Sequence, residues 1–196
     1  MERDTLRPLE GDPRFDIVVC GIGPSNAAKV VTELAERQCT LVLSWGLAGS
    51  LTNTLSAGTL TRPATVIDAH SQQKYPTSDA GADGVLVSVD KFADSSAKVI
   101  LASETGAQAV DMESAAIAKR CLELGIAFRV YRAISDELDD RWIDSLAGLL
   151  DTRGKLRLWP TVRAMLTNPT ELLRARKHTR LALQTLLAEA EELRRS

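Results

Sequence analysis

The chain has 196 residues, 44% of them hydrophobic and 26% charged, with a formal net charge of −2. That is the make-up of one globular domain, long enough to bury about 70% of its unfolded surface, and its near-neutrality excludes nucleic acid as the bulk partner. Three scattered cysteines (Cys20, Cys39, Cys121) and two histidines (His70, His178) argue against a disulfide framework or a metal site. No run reaches the roughly 20 apolar residues of a membrane span, and Met1 to Arg14 lacks a signal-peptide core, so the expected compartment is the cytoplasm.

The first strong element is Asp16-Ile17-Val18-Val19-Cys20, a β-branched apolar run that reads as a buried parallel strand. It enters a glycine turn, Gly21-Ile22-Gly23-Pro24, and a helix from about Ala27 to Arg37. Thr40 to Ser44 reads as a second buried strand, ending in a small-residue turn, Gly46-Leu47-Ala48-Gly49. Thr65 to Ala69 is a third strand, and His70 to Gly84 a polar loop. Val85 to Val89 is a strand, followed by a short helix or turn near Asp94–Ser96. Val99 to Ala102 and Ala109 to Asp111 are short strand candidates. Ser114 to Leu124 is a helix stopped by Gly125, and Phe128 to Ile134 a strand ending in Ser135-Asp136. From Trp142 the pattern is helical only, with one long helix over Thr170 to Arg195. Strands alternating with helices predict a three-layer α/β/α domain over residues 1–196, with a mainly parallel mixed sheet and a helical extension from about 142.

Ligands of open α/β sheets bind beyond the carboxyl ends of the strands, and four clusters fall there: Gly21–Asn26, Gly46–Gly49, Asp111–Glu113 and Ser135–Asp136. Gly21 and Gly23 let backbone N–H groups approach a phosphate or a ribose oxygen. Asn26 stands where a dinucleotide fingerprint has its third glycine, which disfavours NAD. Asp111, at a helix start, reads as a cap and dipole partner. Asp136 ends a buried strand, where an acid has no packing role.

Taken together, Gly21-Ile22-Gly23, Gly46-Leu47-Ala48-Gly49, Val110-Asp111-Met112-Glu113 and Arg132-Ala133-Ile134-Ser135-Asp136 resemble the nucleoside phosphorylase and nucleosidase family over about Asp16 to Asp140. The tail from Leu149 to Leu183 is similar to that of the hopanoid-associated phosphorylases, which remove adenine from adenosylhopane. The resemblance implies cleavage of the N-glycosidic bond of a purine nucleoside, by hydrolysis or with phosphate as co-substrate, and no other cofactor. It implies that Glu113 grips the ribose and favours the developing cation. Asp136, protonated or sharing a proton and oriented by Ser135, is the implied general acid toward the purine. Met112 packs on the sugar, Ala48 and Gly49 line the pocket, and Phe92 either stacks near the base or is ordinary core. Asp90 and Ser88 read as turn residues. The family's oligomers imply a homo-oligomer here.

Three departures matter. The family opens with a strand that leads to a catalytic loop; here Met1-Glu2-Arg3-Asp4 corresponds to the loop alone, making Asp4 the candidate base. Leu47 stands where phosphate-using members place a hydroxyl, which leaves hydrolysis open. Leu55 to Gly106 is shorter than in typical nucleosidases, as a bulky 5′ substituent would require. Finally, Arg153, Lys155, Arg157, Arg163, Arg174, Arg176, Lys177 and Arg180 face one acid, Glu171. This basic stretch reads as a solvated helix face or as a weak membrane-surface contact.

Overall fold

The computed structural model describes residues 2–21, 23–140, 142 and 169–196. After a 3-10 helix over Glu2–Leu9 come α1 (Pro24–Glu36), β1 (Leu41–Ser50), β2 (Leu60–Thr61), β3 (Thr65–Asp68), β4 (Lys74–Pro76) and β5 (Val85–Ser88). Then follow α2 (Ser95–Thr105), β6 (Ala109–Asp111), α3 (Ser114–Leu124), β7 (Ala127–Asp136) and a final long helix, α4 (Pro169–Arg195). The strands form one seven-stranded sheet in the order β2-β7-β1-β6-β5-β3-β4. Its longest pairing, β1 with β7, is parallel, as are β3–β5 and β5–β6, while β1–β6, β2–β7 and β3–β4 are antiparallel.

Strand alternation assigns the helices to faces. Val42, Ala48, Val66, Leu86, Ala109 and Ile134 pack with α1 and α3. Their neighbours point the other way: Ile67, Val87 and Val110 pack under α2, and Trp45, Leu47 and Ala133 under Ala182 and Leu186 of α4. This is the three-layer α/β/α arrangement expected from the sequence.

Several expectations are corrected. Asp16 to Cys20 is irregular rather than a strand. The run packs Val18 and Cys20 against the core without pairing into the sheet. Gly46 to Gly49 is no turn but the last part of β1. Val99 to Ala102 lies inside α2 despite its β-branched residues, because Asp94 caps the helix by accepting from Ala97 N at 2.8 Å and Gly106 closes it. The loop from His70 to Gly84 contains the short edge strand β4. In the basic tail, Arg153, Lys155, Arg157 and Arg163 lie outside the described residues, as does most of the stretch likened to the hopanoid-associated proteins. Arg174 of α4 is spent on acids: its Nε lies 2.8 Å from Asp140 Oδ1, and it also faces Glu137 and Asp139. No described helix is long and apolar enough to cross a membrane.

One irregularity positions a site. β1 and β7 run in register from Leu41↔Ala127 to Ala48↔Ile134, and then Gly49 pairs with Asp136. Ser135 is therefore an extra residue, a bulge that re-phases the strand. Asp136, which simple alternation would send to the α1/α3 face with Ile134, turns with Gly49 toward α2. Gly49 makes room for it: a Cβ there would sit 2.5 Å from Asp136 Oδ2 and 3.2 Å from Lys98 Cε. Gly49→Ala should cost about 1–3 kcal/mol by overpacking. At this size that corresponds to a fall in Tm of roughly 2–12 °C; an unchanged Tm by calorimetry would show that the contact yields freely.

Candidate active site

The carboxyl end of the sheet carries a buried polar network. Arg132, on β7, donates through Nε and Nη2 to Asp111 Oδ2 at 2.9 and 2.8 Å, with both side chains almost fully buried. Its Nη2 also donates to Ser44 Oγ at 2.8 Å and Ser114 Oγ at 3.0 Å. Asp111 further accepts from Ser88 Oγ and Ser114 Oγ, each at 2.5 Å, and from Ser114 N. Asp111 thus caps α3, as its position suggested, and also neutralises a buried guanidinium. Ser88 is not a turn residue: it ends β5 and accepts from Ala115 N while donating to Asp111.

Glu113 sits at the start of α3 beside this network, and its Oε1 accepts from Gly23 N at 3.2 Å. Gly21 and Gly23 have φ of 71° and 103°, values that favour glycine, so the glycine turn bends its amide toward a carboxylate. With Glu113 there, the Gly23 N–H serves the acid and not a free anion. Burial pushes the Glu113 carboxyl above its ordinary value of 4.5, and the nearby Asp111 adds to the rise. Arg132 and the Gly23 N–H pull the other way.

Glu2, not Asp4, reaches this end of the sheet. Its Oε1 accepts from Leu47 N at 3.1 Å and lies in the space left by the missing side chain of Gly46, beside Arg132. The Nε1 of Trp45 donates to Thr5 Oγ1 at 3.0 Å and pins the 3-10 helix that carries Glu2. The structure does not bring Asp4 to the site: its side chain is 62% exposed and pairs with Arg7 at 3.2 Å.

On the α2 face, Asp136 is the centre of a second cluster. Its Oδ2 accepts from Lys98 Nζ at 2.5 Å, and its Oδ1 from Ser135 Oγ at 2.8 Å. Lys98 Nζ also donates to Glu137 O at 2.9 Å. Ala48 offers its carbonyl to Ser135 Oγ at 3.3 Å. The structure thus brings Ala48, Gly49, Ser135 and Asp136 together, and Glu113 with Gly23. Met112 is half-buried between Asp111 and Glu113. Phe92 is half-buried in the connection from β5 to α2. Sequence reasoning missed Glu2, Lys98 and the role of Arg132. Arg132 carried a signal: a guanidinium inside a β-branched buried strand needs a buried acid, and Asp111 was at hand. Among the described residues no group of three or more His, Cys, Asp or Glu is arranged to hold a metal, and all three cysteines are free.

Residues 80–153, which contain Asp111, Glu113, Arg132 and Asp136, match the family model of the phosphorylase superfamily. Over that stretch, somewhat over a third of its length, the chain is similar to the phosphorylase superfamily. A 5′-methylthioadenosine/S-adenosylhomocysteine nucleosidase of an Exiguobacterium species is 39% identical over 71 residues, which are 35% of this chain and 30% of that protein. The match thus spans under a third of that curated relative's length. The likeness of fold extends further. Futalosine hydrolase of Helicobacter pylori superposes with a TM-score of 0.64 at 19% identity, over 95% of this chain and 94% of that one. The Neisseria meningitidis methylthioadenosine/adenosylhomocysteine nucleosidase, in complex with methylthio-immucillin-A, gives 0.61 at 21% identity, over 91% and 80%.

The Asp111–Arg132 pair anchors the polar network at this end of the sheet. Asp111→Ala leaves a buried guanidinium without its counter-charge and should cost about 3–5 kcal/mol. In urea this should read as a lower midpoint at unchanged slope; an unaltered midpoint would remove the pair from that role.

Proposed function

We propose that the chain hydrolyses the N-glycosidic bond of a purine nucleoside, with adenine as the base and a substituted 5′ position. The observation that carries this is the disposition of acids about the end of β1. Glu113 and Glu2 lie beside Arg132 on one side, and Asp136 is aimed by a bulge to the other. Such cleavage builds positive charge on the ribosyl group and negative charge on the departing base. Glu113 is the carboxylate that favours the cation and holds the ribose hydroxyls. Asp136 is the group that delivers a proton to the purine. Glu2, held by the Leu47 N–H, is the base that takes a proton from the attacking water and replaces Asp4 in that role. Water is favoured over phosphate as the nucleophile because Leu47 offers no hydroxyl and the Gly23 amide already serves Glu113. The Exiguobacterium protein is named a 5′-methylthioadenosine/S-adenosylhomocysteine nucleosidase, which supports a 5′-substituted adenine nucleoside as the substrate. Within this chemistry, the sequence likeness of the tail to hopanoid-associated phosphorylases supports adenosylhopane as the 5′-substituted nucleoside. Binding through Glu113, Met112, Ser135, Phe92, Ala48 and Gly49, and completion of the pocket by a second copy, belong to the same reading.

The test is adenine release, measured by chromatography, from adenosine, methylthioadenosine, adenosylhomocysteine and an adenosylhopane mimic, with and without phosphate. Release without phosphate is the expected result. Release that needs phosphate would mark a phosphorylase, and adenine binding without any release would mark a nucleoside-binding protein. Asp136→Asn should lower kcat by roughly 10²–10⁴-fold with binding largely kept.

The pH profile provides a separate check. Glu113 acts ionised, and its carboxyl holds its proton to a higher pH than an ordinary glutamate, so activity should fall on acidification through a limb that lies above 4.5. The residual activity of Glu113→Gln should lack that limb; its persistence would assign the limb to another group.

A further inference from the structure

Lys98 is a lysine with 1% of its surface exposed, although Val99 and Ile100, next to it on α2, are more than half exposed. Helix α2 therefore turns its ammonium inward and leaves two aliphatic side chains in water, the reverse of what packing alone would select. Burying an ion pair also costs desolvation that a packed apolar pair would not. The contact is built from three sides. The bulge at Ser135 swings Asp136 onto the α2 face, Gly49 leaves the space that both side chains enter, and the Glu137 carbonyl accepts a second ammonium hydrogen.

We propose that Lys98 is the positioning residue of the leaving-group acid, holding Asp136 and supplying through it the proton that the departing purine takes up. This rests on the reading of Asp136 given above. As the ribosyl C–N bond breaks, its electron pair passes to the purine. Lys98 Nζ gives a proton to the Asp136 carboxylate, and the carboxylic acid so formed passes one proton on to a ring nitrogen. The base leaves neutral, Asp136 is again a carboxylate, and Lys98 is a neutral amine. The attacking water gives its oxygen to the ribosyl cation and loses one proton to Glu2, which returns it through solvent to Lys98. Ser135 allows the transfer: its one hydroxyl hydrogen has two acceptors, Asp136 Oδ1 at 2.8 Å and the Ala48 carbonyl at 3.3 Å, so it can release Oδ1 to the base.

The role separates from a structural one by leaving group. The full chain, Lys98→Arg, Lys98→Met and Asp136→Asn are assayed on the preferred adenine nucleoside and on 4-nitrophenyl β-D-riboside, whose phenolate departs without a proton. Arginine keeps the charge that holds Asp136 but gives up no proton. Lys98→Arg should lose roughly 100-fold on the nucleoside and little on the riboside, and Asp136→Asn should show the same split. Equal loss on both substrates, or no loss on either, in Lys98→Arg overturns the role of Lys98; Asp136 stays the acid if its own variant still splits. If Asp136→Asn shows no split, the acid assignment falls and Lys98 with it. The wild-type chain gives a second measurement that needs no variant to fold. The rate in heavy water should fall more on the nucleoside than on the riboside, whose phenolate takes no proton, and an equal fall on both overturns the proposal. A wild-type chain inactive on every nucleoside overturns both readings.

Discussion

A guanidinium and a carboxylate that share almost no contact with water hold the carboxyl end of this sheet together. Arg132 comes from β7 and Asp111 from the end of β6, while their serine partners come from β1, β5 and the first turn of α3. Neither charge is tolerable alone in that setting, so the four strand ends are fixed relative to one another. Glu113 lies two residues beyond Asp111 and inherits its position from the same capped turn. Its charge balance follows as well: the Asp111 beside it discourages ionisation, and the Arg132 that Asp111 neutralises encourages it. Burial outweighs Arg132 and the Gly23 N–H, so the Glu113 carboxyl stays above its ordinary value.

The second half of the chemistry lies on the other side of the sheet, and a single extra residue puts it there. Without the bulge at Ser135 the acid at position 136 would point among the aliphatic residues of the α1/α3 face, where an unpaired carboxylate has no partner. With it, the side chain crosses to the helix that carries Lys98. β1 is the common reference for both halves. Gly46 yields room for Arg132 and Glu2, and Gly49 for Asp136 and Lys98. Two missing side chains three positions apart along the central strand let charged groups from both faces crowd the same strand end.

Much of this was legible beforehand, for reasons that differ by element. The layer order followed from alternating apolar periods, and α3 was read to the residue because Gly125 marks its end and Asp111 its start. The run Asp16 to Cys20 has every mark of a strand, but strand propensity reports how a side chain suits a pleated surface and not whether the backbone finds a partner. Val99 to Ala102 misled because β-branching outvoted a cap and a glycine stop that lie farther apart in sequence. Asp136 and Glu113 stood out as acids that packing does not explain. Lys98 did not, because one lysine in a short helix looks like any solvated cation until the fold turns it inward. Glu2 and Asp4 are two residues apart and equally acidic, and only the anchoring of the 3-10 helix by Trp45 separates them. Bulges leave almost no trace in a single sequence, so the face taken by Asp136 could not be read from its position.

The central strand also sets a schedule. β1 is complete at Ser50, yet the strands that flank it, β6 and β7, do not begin until Ala109 and Ala127. At a synthesis rate of roughly 5–20 residues per second, an apolar ten-residue strand waits several seconds or more on the ribosome with both edges unpaired. Exposed edges of that kind are templates for pairing with other chains. Among the described residues α1 precedes β1, and because its Ala27, Val31 and Leu34 share a core with Val42 and Ala48, it is the helix placed to shield one face of β1 during that interval.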